Sequence, residues 1–296
     1  ILVDDVDIND YRLASLRGKI AVVLQDIFLF ADTIANNISL KNKNALVCGS
    51  SKGIGSASAI MLAEMGANVI LAARSEDKLK VMLSELDTSK GQKHDYITVD
   101  YNKQADLKTK IESLASKMNI HILVNNTGGP PAGPISKATP EAFLTAYNQH
   151  LICNHLLATT LIPGMESDGF GRIINIISTS VKSPLANLGV SNTTRGAVAS
   201  WSKTLAGEVA SKGITVNNVL PGATNTGRLD EIIENKSKKT NKSKQETICS
   251  MQSIIPMGRF AEPSEIAAAV GFLASPSAAY ITGINIPVDG GRTKCL

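Results

Sequence analysis

Short apolar runs alternate with amphipathic stretches from about residue 40 to the end of the chain. The first run is ALVCG at 45–49, and similar runs rich in Val, Ile and Leu follow at 68–74, 95–100, 120–126, 172–178, 214–220 and 284–289. Helical spacing of apolar residues predicts helices over 54–67, 76–86, 103–117, 141–163, 196–211 and 263–274. Apolar strands alternating with amphipathic helices are typical of a parallel sheet covered on both faces. The pattern therefore predicts one doubly wound α/β domain over residues 40–296.

The segment 227–252 interrupts this alternation. Its middle, KSKKTNKSK at 236–244, carries five lysines in nine residues and offers little to bury. We expect a mobile segment that follows a strand and so lies over the carboxyl ends of the sheet, where ligands bind. A lid over a ligand and a solvated loop are both compatible with this pattern.

Composition narrows the class of protein. The chain has 296 residues, 43% hydrophobic and 19% charged, with a formal charge of +4, so a large core can be buried. No apolar run approaches the ~18 residues that cross a bilayer, and the acidic opening ILVDDVDIND is unlike a secretory signal. The four cysteines lack metal-ligand spacing, which favours reduced thiols and no metal site. We therefore expect a cytoplasmic protein without membrane or nucleic-acid partners.

A glycine-rich turn, Gly49-Ser50-Ser51-Lys52-Gly53-Ile54-Gly55, lies between the first predicted strand and the first predicted helix. Glycine permits a tight turn and close approach of a pyrophosphate, and the following helix N-terminus offers free N–H groups and a partial positive charge. Strand before and helix after are the context that a Rossmann-type dinucleotide site requires. The turn therefore indicates a nucleotide cofactor.

Several motifs in order resemble the short-chain dehydrogenase/reductase family. They are the glycine turn, NNTG at 125–128, PG at 221–222 and the tail IPMGRFAEPSEIAAAVGFLASPSAAYITGINIPVDGG. The resemblance spans about residues 40–291 and is strongest to the group of 3-oxoacyl-carrier-protein reductases. It implies a hydride transfer between a nicotinamide cofactor and a carbonyl or alcohol substrate. It also implies cofactor contacts from Gly49, Ser51, Lys52, Gly53, Ile54, Gly55, Arg74, Asp100, Asn125, Thr127, Gly128, Arg195, Pro221, Gly222 and Thr226.

The residues around the second predicted strand favour NADP(H) over NAD(H). Members that prefer NAD place an acidic side chain at the end of this strand, but here the text reads Leu71-Ala72-Ala73-Arg74-Ser75. A guanidinium at Arg74, together with Lys52, suits a ribose 2′-phosphate. The alternative is that Arg74 is only a solvated residue at a strand end.

The catalytic positions depart from the pattern that the resemblance implies. Family members use a Ser, a Tyr, a Lys and a supporting Asn, in which the Tyr donates a proton and the Lys lowers the phenol pKa from about 10. Ser178 matches the Ser, but Ser191, Arg195 and His150 stand at the other three positions. A serine hydroxyl is a much weaker acid, Arg195 stays protonated, and His150 could titrate near neutrality. Tyr147 is a weaker candidate for the proton donor.

Two functions remain open on this basis. The first is an atypical oxidoreductase in which Ser178, Ser191, Arg195 and His150 handle charge and protons. The second is a protein that binds NADP(H) without catalysis and acts through regulation or interaction. In either case His150 could instead be an ordinary polar residue of a helix whose hydrogen bonds are satisfied. The lysine run either attracts an anionic carrier or only maintains solubility.

Residues 1–39 follow a different pattern. LVDDVDINDYRLASLRGKIAVVLQDIFLFADTIANNI is similar to part of the nucleotide-binding domain of ABC exporters, including the Q-loop glutamine at Gln25. The phosphate-binding loop, the signature motif and the acidic strand of that domain are absent from the sequence, so we expect no ATP function. For the main domain, the resemblance implies a homodimer or homotetramer built through residues 263–289.

Overall fold

The computed structural model describes residues 2–3, 6–7, 33 and 37–295. Contacts along the chain divide it into two units, Ile1–Ile34 and Ala35–Leu296. In the first unit the described residues form an antiparallel pair, β1 (Leu2–Val3) and β2 (Val6–Asp7), with Val3 opposite Val6. Gln25 and most of the ABC-like segment lie outside the described residues, so the hypothesis of a fragment over 1–39 stays a prediction.

The second unit is built on a seven-stranded sheet in the order β5-β4-β3-β6-β7-β8-β9, with every neighbouring pair parallel. The strands are β3 (Asn44–Cys48), β4 (Asn68–Ala73), β5 (Asp95–Thr98), β6 (Ile122–Asn125), β7 (Gly171–Ile176), β8 (Ile214–Pro221) and β9 (Asn285–Val288). The order reverses between β3 and β6, which opens a crevice at the carboxyl ends of these two strands. The doubly wound sheet predicted from the sequence is confirmed.

Helices cover both faces of the sheet. They are α1 (Gly53–Glu64), α2 (Glu76–Ser84), α3 (Gln104–Ala115), α4 (Pro140–Tyr147), α5 (Cys153–Ser167), α6 (Gly189–Val209), α7 (Gly227–Thr240), α8 (Lys244–Gln252) and α9 (Pro263–Ala274). One core layer joins the sheet to α1, α2 and α9 through residues such as Leu62, Leu79 and Val270. The opposite layer joins it to α3, α5 and α6 through residues such as Ile111 and Leu157. The central strands are apolar along their length because both of their faces are buried.

Three elements differ from the sequence prediction. The helix predicted over 196–211 begins seven residues earlier, at Gly189, so its first turns carry Ser191 and Arg195. The helix predicted over 141–163 contains a π-helical segment at Asn148–Ile152 between α4 and α5. Such segments are rare and often occur at functional sites, because they displace one side chain from the regular helical register. His150 lies within this π-helical segment.

The third difference concerns the segment 227–252. The expectation of a poorly packed loop is wrong, because the segment forms α7 and α8 around a small apolar core. That core consists of Leu229, Ile233, Ile255 and Phe260. The five lysines of the run lie on the exposed side, at the end of α7 and the start of α8.

Two kinds of feature are absent from the described part of the chain. Within residues 2–3, 6–7, 33 and 37–295, no helix combines the length and apolarity needed to cross a membrane. In the same part of the chain, no group of three or more His, Cys, Asp or Glu side chains is arranged to hold a metal ion.

Candidate active site

The glycine turn connects β3 to α1 at the reversal of the strand order. Gly49 and Gly53 have φ values of +61° and +62°, in the left-handed region that favours glycine. A Cβ atom placed on Gly55 would lie 2.2 Å from the Gly49 carbonyl oxygen, so only glycine fits there. The helix α1 begins after Lys52 with no side-chain cap and no acidic residue in its first turn. Its free N–H groups and positive end therefore suit an anionic group such as a pyrophosphate.

Two basic side chains flank this turn. Lys52 directly precedes α1 and Arg74 directly follows β4, and both side chains are exposed. The turn is fixed against β4 by Ser50, whose buried hydroxyl accepts a hydrogen bond of 2.9 Å from the Ala72 N–H. No described carboxylate forms an ion pair with Lys52 or Arg74. The residues present therefore fit a ribose that carries a 2′-phosphate.

Other predicted cofactor residues line the same edge of the sheet. Asp100 follows β5, and its carboxylate accepts hydrogen bonds of 3.0 Å from the backbone and side-chain N–H groups of Asn102. Asn126 donates weakly to the Cys48 and Gly49 carbonyls at 3.3 and 3.4 Å, which ties the end of β6 to the glycine turn. Ser51 and Ile54 are half-buried in the turn, while Gly128 is exposed beyond β6.

The PG turn after β8 closes the far side of the crevice. Pro221 ends β8, and a Cβ on Gly222 would lie 2.7 Å from the Asp289 Cα. Thr226 precedes α7, and its methyl group would lie 3.2 Å from a Cβ on Gly53. The start of α7 therefore borders the glycine turn.

A ladder of four asparagines, three of them buried, supports this edge and was not predicted from the sequence. Asn125, Asn175, Asn218 and Asn285 are paired in register across β6, β7, β8 and β9. Their side chains form hydrogen bonds of 2.8, 3.0 and 2.8 Å in turn, and the Ser202 hydroxyl joins the middle pair. Each buried bond contributes about 1 kcal/mol to stability and fixes the strand ends. The available signal was an asparagine inside each of four apolar runs.

Ser178 lies just beyond the end of β7. Its backbone is extended, and its hydroxyl accepts a hydrogen bond of 3.1 Å from the Ser180 N–H, which caps a short 3₁₀ helix. The hydroxyl hydrogen remains available for a ligand, because the bond to Ser180 uses only a lone pair. Ser191 is half-buried in the first turn of α6.

Arg195 lies one turn further along α6 and is only 8% exposed. One of its terminal nitrogens, Nη1, donates a hydrogen bond of 2.7 Å to the Ile176 carbonyl, at the end of β7. The guanidinium is therefore adjacent to the segment that carries Ser178. Burial lowers the pKa of Arg195 to about 10, so the group is still protonated at neutral pH.

His150 is 1% exposed and lies in the π-helical segment. Its Nδ1 is 2.6 Å from the Thr127 hydroxyl oxygen, whereas its Nε2 is buried with no partner in the described structure. Burial, and then the positive charge of Arg195, lower the pKa of His150 to about 2, against a smaller opposite effect of the Gly128 backbone. The expectation that His150 titrates near neutrality is therefore wrong: the ring is neutral throughout the physiological range.

The structure thus brings Thr127, His150, Ser178 and Arg195 to the carboxyl ends of β6 and β7. Tyr147 is not part of this group, because it ends α4 with a side chain that is 42% exposed. Thr127 was expected to contact a cofactor, and its hydrogen bond to His150 was not foreseen. No signal in the sequence connects residues 127 and 150, which meet only through the fold.

A cavity of about 540 Å³ lies between the loop 184–189 and α6. Its walls are mainly apolar and include Ile135, Val181 and Leu185. Two polar atoms in this wall, the Ser180 hydroxyl and the Asn192 side-chain oxygen, are buried without a partner among the described residues. The cavity was not expected from the sequence, and it borders the segment that follows Ser178 through Ser180 and Val181.

The segment α7–α8 is attached across the crevice. Arg228, in the first turn of α7, donates a hydrogen bond of 2.9 Å to the Pro130 carbonyl in the loop after β6. The same side chain forms an exposed ion pair of 3.1 Å with Glu231. The hydrogen bond to Pro130 joins the start of α7 to the loop after β6, and the lid over a ligand stays a prediction.

Comparison with known proteins agrees with this geometry. Residues 49–293 match the family model described as enoyl-(acyl carrier protein) reductase. The chain is 37% identical over 258 residues to a 3-oxoacyl-[acyl-carrier-protein] reductase, FabG, of Vibrio cholerae, which covers 86% of this chain and 98% of that protein. It is 31% identical over 265 residues to the NADPH-dependent reductase BacG of Bacillus subtilis, which covers 87% of this chain and 100% of that protein.

A solved structure gives the same result. L-Sorbose reductase from Gluconobacter frateurii, complexed with NADPH and L-sorbose, superimposes with a TM-score of 0.82 at 32% identity. The match covers 88% of this chain and 100% of that one. Sequence motifs, strand order, family model and solved structure agree, and the chain belongs to the short-chain dehydrogenase/reductase family.

Proposed function

We propose that the chain is a reductase that transfers a hydride between NADP(H) and a carbonyl or alcohol substrate. The observation that carries this proposal is the start of α1. A glycine turn that admits no side chain at Gly55 leads into an uncapped helix N-terminus, flanked by exposed Lys52 and Arg74. This arrangement suits a pyrophosphate and a 2′-phosphate together. The names of BacG and of the sorbose reductase structure, which both mention NADPH, support the same cofactor.

The reaction would take place at the ends of β6 and β7. When bound there, NADPH supplies the hydride that reduces the substrate carbonyl. The Ser178 hydroxyl donates a hydrogen bond to the carbonyl oxygen as negative charge develops on it, and a water molecule that enters the crevice supplies the proton that completes the alcohol. Ser191 stands at the position where the family resemblance implies a Tyr, and Arg195 where it implies a Lys. The reductase is therefore atypical in its handling of protons.

A second candidate function is a protein that binds NADP(H) without turnover. The observation that favours it is the pKa of His150, about 2, which removes the imidazolium as a proton donor at neutral pH. Arg195 remains protonated, and serine hydroxyls are far weaker acids than a phenol. None of Ser178, Ser191, His150 and Arg195 is therefore matched to donate a proton near neutrality.

The substrate class that we propose for the general reaction is an oxo compound such as a 3-oxoacyl thioester. The named activity of the Vibrio cholerae relative supports this class. The apolar cavity of about 540 Å³, which is lined in part by Ser180 and Val181, would accommodate an acyl chain, and the exposed lysines of α7 and α8 would attract an anionic carrier.

We also propose a homodimer or homotetramer. Three large apolar side chains are exposed on α9 and around β9: Phe272 is 45% exposed, Tyr280 99% and Ile284 36%. An exposed apolar group of this kind is typical of a subunit contact.

The test of the reductase function separates binding from turnover. NADPH binding is followed by nicotinamide fluorescence, and oxidation is followed by absorbance against a carbonyl panel that includes an acetoacetyl thioester. Turnover that falls in Ser178→Ala supports the reductase. Tight NADPH binding without any turnover overturns it and supports the second candidate. Absence of NADPH binding contradicts both.

A further inference from the structure

Arg195 is a buried cation without a counter-ion. Among the described residues no carboxylate lies within ion-pair distance of it, and its one hydrogen bond goes from Nη1 to the Ile176 carbonyl. A guanidinium has five N–H donors in a planar fork, so most of them have no partner in this part of the chain. Buried charges in proteins are normally paired, because an unpaired one is strongly destabilising. The remaining N–H groups of Arg195 are therefore suited to bind an anionic group.

His150 points to the same conclusion independently. Its Nε2 is buried, has no partner among the described residues, and belongs to a ring whose other nitrogen is held by Thr127 at 2.6 Å. When the Thr127 hydroxyl donates to Nδ1, the ring hydrogen lies on Nε2, and this N–H can donate a hydrogen bond to a ligand. The helix α6, which carries Arg195, packs against the π-helical segment Asn148–Ile152, which carries His150. The neutral Nε2–H of His150 and the Arg195 guanidinium can therefore bind one acceptor together.

The position of this pair limits what the acceptor can be. Arg195 binds the carbonyl two residues before Ser178, so an anion bound by it would lie beside the group proposed to hold the substrate carbonyl. One buried cation balances one negative charge, and the planar fork of a guanidinium matches the two oxygens of a carboxylate. A dianionic phosphate would leave one charge uncompensated in a buried site.

We propose, building on the reductase function above but in place of the thioester substrate considered there, that the substrate is a free oxo acid whose carboxylate is bound by Arg195 and by the Nε2–H of His150, with its carbonyl group on Ser178. Thr127 is a positioning residue in this site, since it fixes the tautomer of His150. The carboxylate accepts hydrogen bonds from the buried His150 Nε2–H, which has no partner among the described residues, and from N–H groups of Arg195 that do not bind the Ile176 carbonyl. A ribose hydroxyl of the cofactor is the competing partner of Arg195, and the test below separates the two.

The activity experiment compares 2-, 3- and 4-oxo acids with their own methyl esters in the full chain, at saturating NADPH. The pairs share carbon skeleton and carbonyl group and differ in the negative charge. We expect kcat/KM for the preferred acid to exceed that of its ester roughly 10- to 100-fold, the range of a charge-assisted hydrogen-bond pair. Arg195→Met should bring this ratio close to one, and Arg195→Lys should retain part of it.

Four further variants test the roles of the histidine and the threonine. His150→Gln keeps an N–H donor and should retain most of the acid preference, while His150→Leu should lose part of it. Thr127→Val should resemble His150→Leu, and Thr127→Ser should restore the preference. Lys203→Met serves as the matched control, because it removes one exposed positive charge from the same helix about two turns away.

A binding experiment gives a readout that does not need turnover. The complex of the chain with NADPH is titrated with 3-hydroxybutyrate and with its methyl ester by calorimetry. Binding of the acid alone, lost in Arg195→Met and kept in Lys203→Met, supports the proposal even if no substrate is reduced. Equal binding of acid and ester, or of neither, overturns it. So does an Arg195→Met variant that weakens NADPH binding but keeps the preference for the acid, since the guanidinium would then serve the ribose.

Equal reduction of acids and esters by the native chain would overturn the oxo-acid proposal and leave the reductase function standing. Carboxylate binding without turnover on any substrate would support the carboxylate site and overturn the reductase function. The two proposals therefore fail separately.

Discussion

The two halves of the crevice differ in how their side chains are satisfied. The cofactor half comprises the glycine turn 49–55, Arg74 and the end of β4, and its basic side chains are exposed to water. The reaction half comprises Thr127, His150, Ser178, Ser191 and Arg195, and its His150 and Arg195 are buried. The His150 Nε2 has no partner in the described structure, and among the described residues Arg195 donates only from Nη1, to the Ile176 carbonyl. The first half is open to any molecule with phosphates in the right places. The second is incomplete without its ligand, which is where chemistry and specificity are expected to be decided.

The largest effect that this comparison predicts is at Gly55. In Gly55→Ala the new Cβ would lie 2.2 Å from the Gly49 carbonyl oxygen, so the turn must move away from α1. We expect loss of measurable NADPH binding and a fall in unfolding free energy of about 3 kcal/mol, as for other overpacked sites. Fluorescence titration and urea unfolding measure the two quantities. Gly207→Ala is the control: its Cβ meets nothing within 4 Å on α6, so it should bind normally and be slightly more stable. Normal NADPH binding by Gly55→Ala would place the cofactor elsewhere.

The second prediction addresses the reaction half alone. Ser178→Ala removes the proposed donor to the carbonyl oxygen, and kcat should fall on the order of 10²-fold, while the Kd for NADPH stays the same. Ser183→Ala, an exposed serine five residues on, should leave both constants unchanged. Because Ser178 also caps the 3₁₀ helix at Thr179–Val181, thermal unfolding of the variant is measured in parallel. Unchanged kcat in a folded Ser178→Ala protein would mean that capping is the only role of this hydroxyl.

The third prediction sharpens the cofactor half. Arg74→Ala should raise the Kd for NADPH roughly 30-fold and leave that for NADH unchanged, because only NADPH carries the 2′-phosphate. Lys78→Ala, which removes an exposed charge from the adjoining helix α2, should change neither value by more than about twofold. An equal loss of affinity for both cofactors would show that Arg74 contacts a group that they share.

The same contrast explains which parts of the structure could be predicted from the sequence. The strands, the helices and the glycine turn are specified by residues close together in the chain, so their pattern predicts them. Gly55, for example, is required by an atom six residues away. The partners in the reaction half are distant in the chain: Thr127 and His150 are 23 residues apart, and Arg195 reaches Ile176 across 19. The pattern can place such residues near one end of the sheet, but not pair their atoms.

The pKa of His150 and the fold of 227–252 were misjudged for related reasons. Residue type alone suggests that a histidine titrates near neutrality, whereas its burial and the nearby Arg195 are consequences of the fold. In 227–252 the lysine run concealed Leu229 and Ile233, whose apolar partners Ile255 and Phe260 lie beyond the segment. Local composition described the exposed side correctly and could not show what the other side would pack against.

The smallest predicted effect concerns His150 and the pH dependence of stability. Its pKa is about 2 in the folded chain, against 6.5 for a free imidazole. The folded state therefore binds no proton there when the unfolded state does, so stability is full above pH 6.5 and falls as pH decreases below it. At pH 5.5 this group alone should cost about 1.4 kcal/mol.

Urea unfolding at pH 7.5 and pH 5.5 measures this term as a difference between the native chain and His150→Gln, in which the loss on acidification should be smaller by that amount. The exposed His155→Gln is the matched control and should follow the native chain, because its ring is in contact with water in both states. Other groups, including His121, whose pKa burial also lowers, contribute to all three proteins and cancel. If His150→Gln keeps the whole native pH dependence, His150 is protonated in the folded chain. The reaction half would then contain a group that can donate a proton near neutral pH, and His150 could serve as the proton donor of the reductase.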